Sequence, residues 1–316
     1  MLLSSVGALF LSITFAVAQQ PQQTVANGNG MTPVATQYAD QFKNVGGKVL
    51  SDQVNVYAIF YGDWKSSPAD QNTVLTFVDR VSSTPWYNTC KYHCGSFRQA
   101  GLLFFLGAVK EYTGNDGKTV GSLHLAAALT DSGSHGLNLT DNNTHKQIVI
   151  DAVNSGYLSA DNQLDGSGIY VIFAAKDVKD AGFCTSHCGY NSYSDQFQYM
   201  YIGYPGQCPQ SCIPSINNAT SPNNNPAVDT IITIFSHELQ DILTDPRDNS
   251  WIIKAGQSTF ELGDFCSGKG VTQEQWFGNV SQQDKAGYYN LAIDNNKYLV
   301  QTIYSREKKA CVLSKN

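Results

Sequence analysis

The chain has 316 residues, with 20 Lys and Arg against 26 Asp and Glu, and a formal net charge of −6. It carries no basic run or basic–aromatic stripe, which argues against nucleic acid or an anionic membrane surface as a partner. Only 15% of the residues are charged, and Gly, Asn, Ser and Tyr are abundant, a balance ordinary for an extracellular domain rich in strands and loops.

Met1 to Ala18 contain no charged side chain, and Leu2 to Val17 are mostly apolar. Ala16-Val17-Ala18 is a small-x-small cleavage site followed by Gln19-Gln20. Residues 1–18 therefore read as a secretory signal peptide, although no Lys or Arg precedes the apolar core. A membrane anchor is the competing reading, but the run is short for a spanning helix. No later segment is apolar enough to span a bilayer, so a soluble secreted product is expected. Residues 19–45, rich in Gln, Asn, Gly and Thr, lack an apolar period and read as a flexible arm. One globular domain is expected over residues 46–316.

Within that domain, Val54 to Tyr61 is a strand rich in β-branched and aromatic residues, ended by Gly62-Asp63-Trp64. Ala69 to Val81 has helical spacing through Val74, Phe77, Val78 and Val81. The apolar runs Leu102 to Val109 and Leu123 to Leu129 read as buried strands. His145 to Ser155 reads as a short helix, Gly168 to Ala174 as the clearest buried strand, and Phe197 to Tyr204 as another. Cys208 to Asn225 is a loop dense in Pro, Ser and Asn. A helix then begins, with Asn225 as cap, Pro226 at its first position and Asp229 near the positive end of its dipole. Val228, Ile231, Ile232, Phe235, Leu239, Ile242 and Leu243 give it a core face, and Asp245-Pro246 stops it. Gly287 to Val312 reads as two strands joined by Asp294-Asn295-Asn296. The interleaving predicts an α+β (mixed α/β) fold, a mixed β-sheet packed with helices and stabilised by disulfides.

The compartment accounts for the cysteines. Of eight, six fall in C-x-x-x-C pairs, Cys90/Cys94, Cys184/Cys188 and Cys208/Cys212. These could close on themselves or exchange partners, and Cys266 with Cys311 is the natural remaining pair. A zinc–thiolate reading is weaker in an oxidising compartment. N-x-[ST] sequons at Asn138, Asn142, Asn218 and Asn279 are candidate glycosylation sites in the same compartment.

The chemistry concentrates in the helix that starts at Pro226. His237 and Asp241 lie one turn apart on one face, opposite the apolar stripe, and Glu238 stands beside them. A helical His-Glu pair followed by a carboxylate is the layout of a metal-dependent hydrolase, with Asp241 where the usual zinc motif has a second His. Further ligands must come from elsewhere, and Glu261 and Asp264 are the best candidates. Such a shell suits Zn²⁺, and also Mn²⁺ or Ca²⁺, with Glu238 as the general base. The competing reading is structural: Glu238 would pair with Arg247 or Lys254, and Asp245 would serve only its turn. Of the other histidines, His135 reads as a loop residue or a distant third ligand, and His124 as a hydrogen-bonded core or edge residue. His187 reads as constrained by disulfide geometry, while His93 and His145 are expected to face solvent. No phosphate-binding glycine loop and no G-x-S-x-G elbow is present, which argues against nucleotide binding and a serine-hydrolase triad.

An ordered set of motifs also runs along the chain. It includes Tyr61-Gly62-Asp63-Trp64, Ser83 to Thr89, Ser134-His135-Gly136, Gly168 to Val171 with Lys176-Asp177-Val178, and Phe183-Cys184 through Tyr190. Gln207-Cys208-Pro209 through Cys212, His237-Glu238-Leu239, Glu261 to Cys266 and Tyr298 to Gln301 complete it. In this the chain resembles the EXORDIUM, or phosphate-induced protein 1, family, from Gly46 to Cys311. The resemblance implies a protein of the extracellular space or cell wall, linked in plants to cell expansion, with no established biochemical activity. It implies a carboxylate at position 241, where the family typically has Glu. It often has Asn at 245, which argues against Asp245 as an essential ligand, and Cys90 and Cys94 look like additions. The expected function is a secreted, wall-associated metal-dependent hydrolase acting on an extracellular peptide or wall polysaccharide. The alternative is a non-enzymatic binding or signalling protein, in which Trp64, Trp86 and Trp251 could stack on sugars. A redox role for the C-x-x-x-C pairs is weaker still.

Overall fold

Val54 to Tyr61, read as apolar and β-branched, form β1 (Gln53–Tyr61) at the heart of the molecule. The computed structural model describes residues 35–87, 107–159, 161–255, 258–268, 270–282 and 286–314. The leader at 1–18, most of the arm, Cys90, His93, Cys94 and residues 102–106 lie outside them.

After β1 come α1 (Pro68–Arg80), β2 (Ser122–Asp131), α2 (Asn142–Asn154) and β3 (Ile169–Ala174). β4 (Gly189–Tyr193), β5 (Gln198–Ile202) and α3 (Pro226–Thr244) follow. The strands form one five-stranded sheet in the order β2-β1-β3-β5-β4. β2, β1, β3 and β5 run parallel, and β4 closes the edge antiparallel to β5, from Gly189 opposite Ile202 to Tyr193 opposite Gln198. β3 and β5 are buried along their whole length, as expected where helices cover both faces of a parallel sheet. β2 is the opposite edge and is only partly buried, which corrects the expectation of a buried strand there. Ala108–Glu111, the described end of the other apolar run, is a 3₁₀ turn.

Alternation along β4 places the helices. Tyr190 points toward α2, where its hydroxyl meets His145 Nδ1 at 2.6 Å. Asn191 points the other way, toward α3. Gly189 shares the face of Asn191, and a Cβ there would stand 2.5 Å from Ile234 Cγ2, so α3 packs on β4 at a distance only glycine permits. On that face α1 joins α3 through Phe77, whose ring meets Phe235 edge-on.

α3 has a second covering layer. Short C-terminal ribbons follow it, Ile253–Ala255 with Ser258–Phe260, Leu291–Ile293 with Asn296–Tyr298 and Ile303–Ser305 with Ala310–Val312, and residues 299–302 between the last two lie over it. Thr233 Oγ1 donates to Leu299 O at 2.6 Å, Gln301 N donates to Ser236 Oγ at 3.0 Å, and Gln240 Nε2 donates to Thr302 O at 3.3 Å. The polar side of α3 thus satisfies the backbone of residues 299–302, and the helix is buried all round from Ala227 to Thr244.

Disulfides join Cys184 to Cys208, Cys188 to Cys212 and Cys266 to Cys311. The two C-x-x-x-C pairs exchange partners, and the bridge to the C-terminus is the expected one. Residues 35–45, assigned to the arm, are part of the fold: Ala35–Gln41 is a 3₁₀ segment, and Phe42 packs on Phe265, Tyr112 and Trp251. Asn44 Nδ2 also donates to Thr113 O at 2.9 Å and Ser250 Oγ at 3.0 Å, so long-range contacts fix a segment whose composition reads as flexible. Trp64, Trp86 and Trp251 are core residues, each donating its indole N–H to a backbone carbonyl, so none is a sugar platform. Among the described residues no helix is long and apolar enough to cross a membrane.

Candidate functional site

The last two turns of α3 carry His237, Glu238 and Asp241 to the place where the helix meets the 3₁₀ turn Gly263–Cys266. One ligand atom from each of the three lies within 4.8 Å of the others. They are 6%, 3% and 2% exposed, so the stripe opposite the apolar face meets protein, not open solvent.

The imidazole is oriented from the C-terminal segment. Gln301 Nε2 donates to Gly263 O at 2.6 Å, which turns Gln301 Oε1 toward His237 Nδ1 at 3.1 Å. The Nδ1 proton therefore goes to Gln301, leaving the Nε2 lone pair 3.4 Å from Asp241 Oδ2. Ser267 Oγ, 3.4 Å from Nδ1, stands on the same side. A backbone or side-chain acceptor on one ring nitrogen is how metal-binding histidines are commonly held. Gly263 N donates to Asp241 Oδ1, and a Cβ on Gly263 would lie 2.8 Å from His237 Nδ1 and 2.9 Å from both Asp241 oxygens. The turn can approach the two side chains only because residue 263 has none.

Glu238 meets the sheet edge: Asn191 Nδ2 of β4 donates to Glu238 Oε2 at 3.4 Å. The alternative pairings fail among the described residues. Arg247 donates to Ser194 O and stacks on the Tyr193 ring, and Lys254 makes no ion pair with Glu238.

Carboxylates outnumber cations here, and their proton affinities record it. Burial pushes Glu238 up, partly countered by His237 and Asn191. Burial, then the charges of Asp264 and Glu238, hold Asp241 well above the usual carboxylate range. Asp264 is raised by burial, against the pull of His237 and the Glu261 N–H that it accepts at 3.0 Å. Unpaired acids forced together in a desolvated place are poised to bind a cation. One imidazole nitrogen with carboxylate oxygens is a donor set that Zn²⁺ or Mn²⁺ takes readily.

The structure thus brings together His237, Glu238 and Asp241, with Asp264 close enough to repel Asp241. Glu261 is set differently: its ligand oxygen groups with those of Asp245 and Asp248. Gln301 and Asn191, which hold His237 and Glu238, are additions to the predicted set. Gln301 was visible only as part of the Tyr298 to Gln301 motif, and Asn191 gave no signal.

The histidines elsewhere redistribute. His135 Nε2 meets Asp151 at 2.9 Å, far from α3 in the chain and in a different ion pair. His124 is exposed on the edge strand β2. His145, expected at the surface, is fully buried and stacks on Tyr201. It and His187 flank Asp180, with Nε2 atoms 3.3 and 3.1 Å from its two oxygens. Burial alone would push Asp180 up, but hydrogen bonds and charge from the two imidazoles outweigh it and hold the carboxyl well below its usual range.

Residues 42–314 match the model of the phosphate-induced protein 1 conserved region. The chain is similar to Protein EXORDIUM-like 5 of Arabidopsis thaliana, 26% identical over 294 residues that cover 84% of this chain and 75% of that protein. It is similar to Protein EXORDIUM-like 3 of the same plant, 24% identical over 289 residues, 84% of this chain and 80% of that protein. No solved structure matches the chain.

Proposed function

Starting from the fact that this chain belongs to the phosphate-induced protein 1 family, we propose that it is a secreted, wall-associated metal-dependent hydrolase. The observation that carries this reading is the convergence of His237, Glu238 and Asp241 within 4.8 Å, in a place where burial raises both carboxyls. His237 Nε2 and Asp241 Oδ2 are the ligands proposed from α3, and Asp264 adds negative charge beside them. A divalent ion bound there, zinc first and manganese or calcium as alternatives, would supply Lewis acidity toward a water or a carbonyl. Glu238, one residue from the ligand and held by Asn191, takes the proton; its raised affinity suits a group that must both accept and return it. The substrate class is an extracellular peptide or a wall polymer. The apolar leader at 1–18, with its small-x-small site at Ala16-Val17-Ala18, supports secretion. The exposed sequons Asn138, Asn142, Asn218 and Asn279 support glycosylation.

A second reading is favoured by one observation, the enclosure of all three side chains. In it the ion is structural, and the protein acts by binding or signalling in the extracellular space. The two separate experimentally. Elemental analysis of protein purified without chelator should find near-stoichiometric zinc or manganese, lost in His237→Ala. Glu238→Gln should keep the metal and lower peptide or glycan hydrolysis by about 10²-fold or more. Metal retained with no hydrolysis in the wild type favours the structural ion, and a wild type free of metal ends both metal readings.

A further inference from the structure

The acids that α3 does not gather around His237 form a second group. Asp245 is the residue that ends the helix, Asp248 sits in the turn after Pro246, and Glu261 follows the strand Ser258–Phe260. One carboxylate oxygen from each lies within 4.8 Å of the other two.

The two inner members are unbalanced in a way their own fold does not repair. Asp245 is 1% and Glu261 7% exposed. Asp245 Oδ1 accepts from Asn249 N at 2.8 Å and Ser250 N at 2.7 Å, which pins the carboxylate plane against the turn. Its other oxygen, Oδ2, has no hydrogen-bond partner, and neither has Glu261 Oε1. Lys254 is near enough to draw on Asp245 and Asp248 electrostatically, yet it forms no ion pair with either among the described residues. Two buried carboxylate oxygens without donors, on residues whose carboxylates come within 4.8 Å of each other, call for a positive partner.

We propose that Asp245, Asp248 and Glu261 form a calcium-type site, separate from the His237 centre, that takes a hard divalent cation through oxygen ligands alone. All three donors are carboxylates, with no imidazole or thiolate among them, which favours Ca²⁺ over Zn²⁺. Asp248 is exposed and supplies the side open to water, so water can complete the six to eight ligands that such an ion requires. The turn is shaped for this: Asp248 adopts φ of 53°, a left-handed conformation that Asp tolerates. The resemblance, which often puts Asn at 245, argues against Asp245 as a ligand across the family, so the site is proposed for this chain. The bound ion joins the end of α3, the turn after it and the residue that leads into Gly263–Cys266. It also shields Glu261 from Asp241, whose charges otherwise oppose each other.

The site is tested on the secreted, glycosylated protein after chelator treatment, by calorimetric titration with CaCl₂ to 10 mM, a concentration of about ten times the weakest extracellular calcium affinities, and by thermal melts with and without calcium. The wild type and His237→Ala should each bind calcium and melt at higher temperature with it. Asp248→Asn, a change at an exposed position, should fold normally by near-ultraviolet circular dichroism and bind calcium at least tenfold more weakly. Asp245→Asn should behave likewise. No calcium response in the wild type overturns the site. So does a response in Asp248→Asn equal to that of the wild type, or one lost in His237→Ala, since the latter places calcium at His237. Failure of the hydrolase assays leaves this result untouched.

Discussion

At the scale of single residues, two positions carry more than their size implies. Gly263 lets a backbone turn lie against His237 and Asp241, and an added methyl would overlap both. Gly263→Ala should lower stability by about 1–3 kcal/mol, the usual cost of overpacking, and should release metal from the His237 centre; urea unfolding and elemental analysis check the two effects together. Asp180 is held between two imidazoles. Its carboxyl is depressed in the folded protein, so its stabilising contribution is complete above the unfolded value of about 4 and fades as pH falls below it. Asp180→Asn should therefore cost about 1–3 kcal/mol at pH 7, and the gap between wild type and variant should narrow as pH falls toward 2. Parallel urea curves at the two pH values decide it, and a gap that persists undiminished in acid would remove the carboxylate charge as the cause.

At the scale of elements, α3 is the organising piece. Its start was legible residue by residue: Asn225 accepts from Val228 N, and Pro226 follows at the first position. Asn225 also donates to Asp70 Oδ2 on α1 at 2.9 Å, so the cap ties two helices together. Asn225→Ala should lose about 1–2 kcal/mol, more than the same change at a cap with no second partner, as a shift of the chemical-unfolding midpoint would register. Asp229 lies in the first turn, as expected of a dipole partner, and is also buried, accepting from Asn223 N at 2.9 Å. The 3.6-residue period identified the apolar face of α3 correctly, and the remaining face was equally regular. What the period did not reveal is that this second face is roofed by residues 299–302 and Gly263–Cys266. A polar stripe looks the same in sequence whether water or backbone carbonyls satisfy it.

At the scale of the whole molecule, the disulfides lock segments that the sheet alone does not hold. Cys184–Cys208 and Cys188–Cys212 close almost the same loop, each with a separation of 24 residues. Removing either alone should cost little, because the other still restricts the unfolded chain; removing both should cost about 3 kcal/mol. Thermal melts of the two single variants and the double variant test this non-additivity, and equal, additive losses would refute it. The sequence by itself determined the strands β1, β3 and β5, the three long helices, the cap and stop of α3, the Cys266–Cys311 pair and the family. Each of these depends on neighbours in the chain, on side-chain periodicity, on motifs kept in order or, for the disulfide, on being the pair left over. Tertiary structure alone decided that the two C-x-x-x-C pairs exchange partners, that His145 is buried beside Asp180, and that Glu261 turns to Asp245 and Asp248. It also brought Gln301 to His237 across a separation of 64 residues. The physical reason is the stacking of layers: a local pattern sets which way a side chain points from its own element, but what it meets there depends on which distant segment is laid over it.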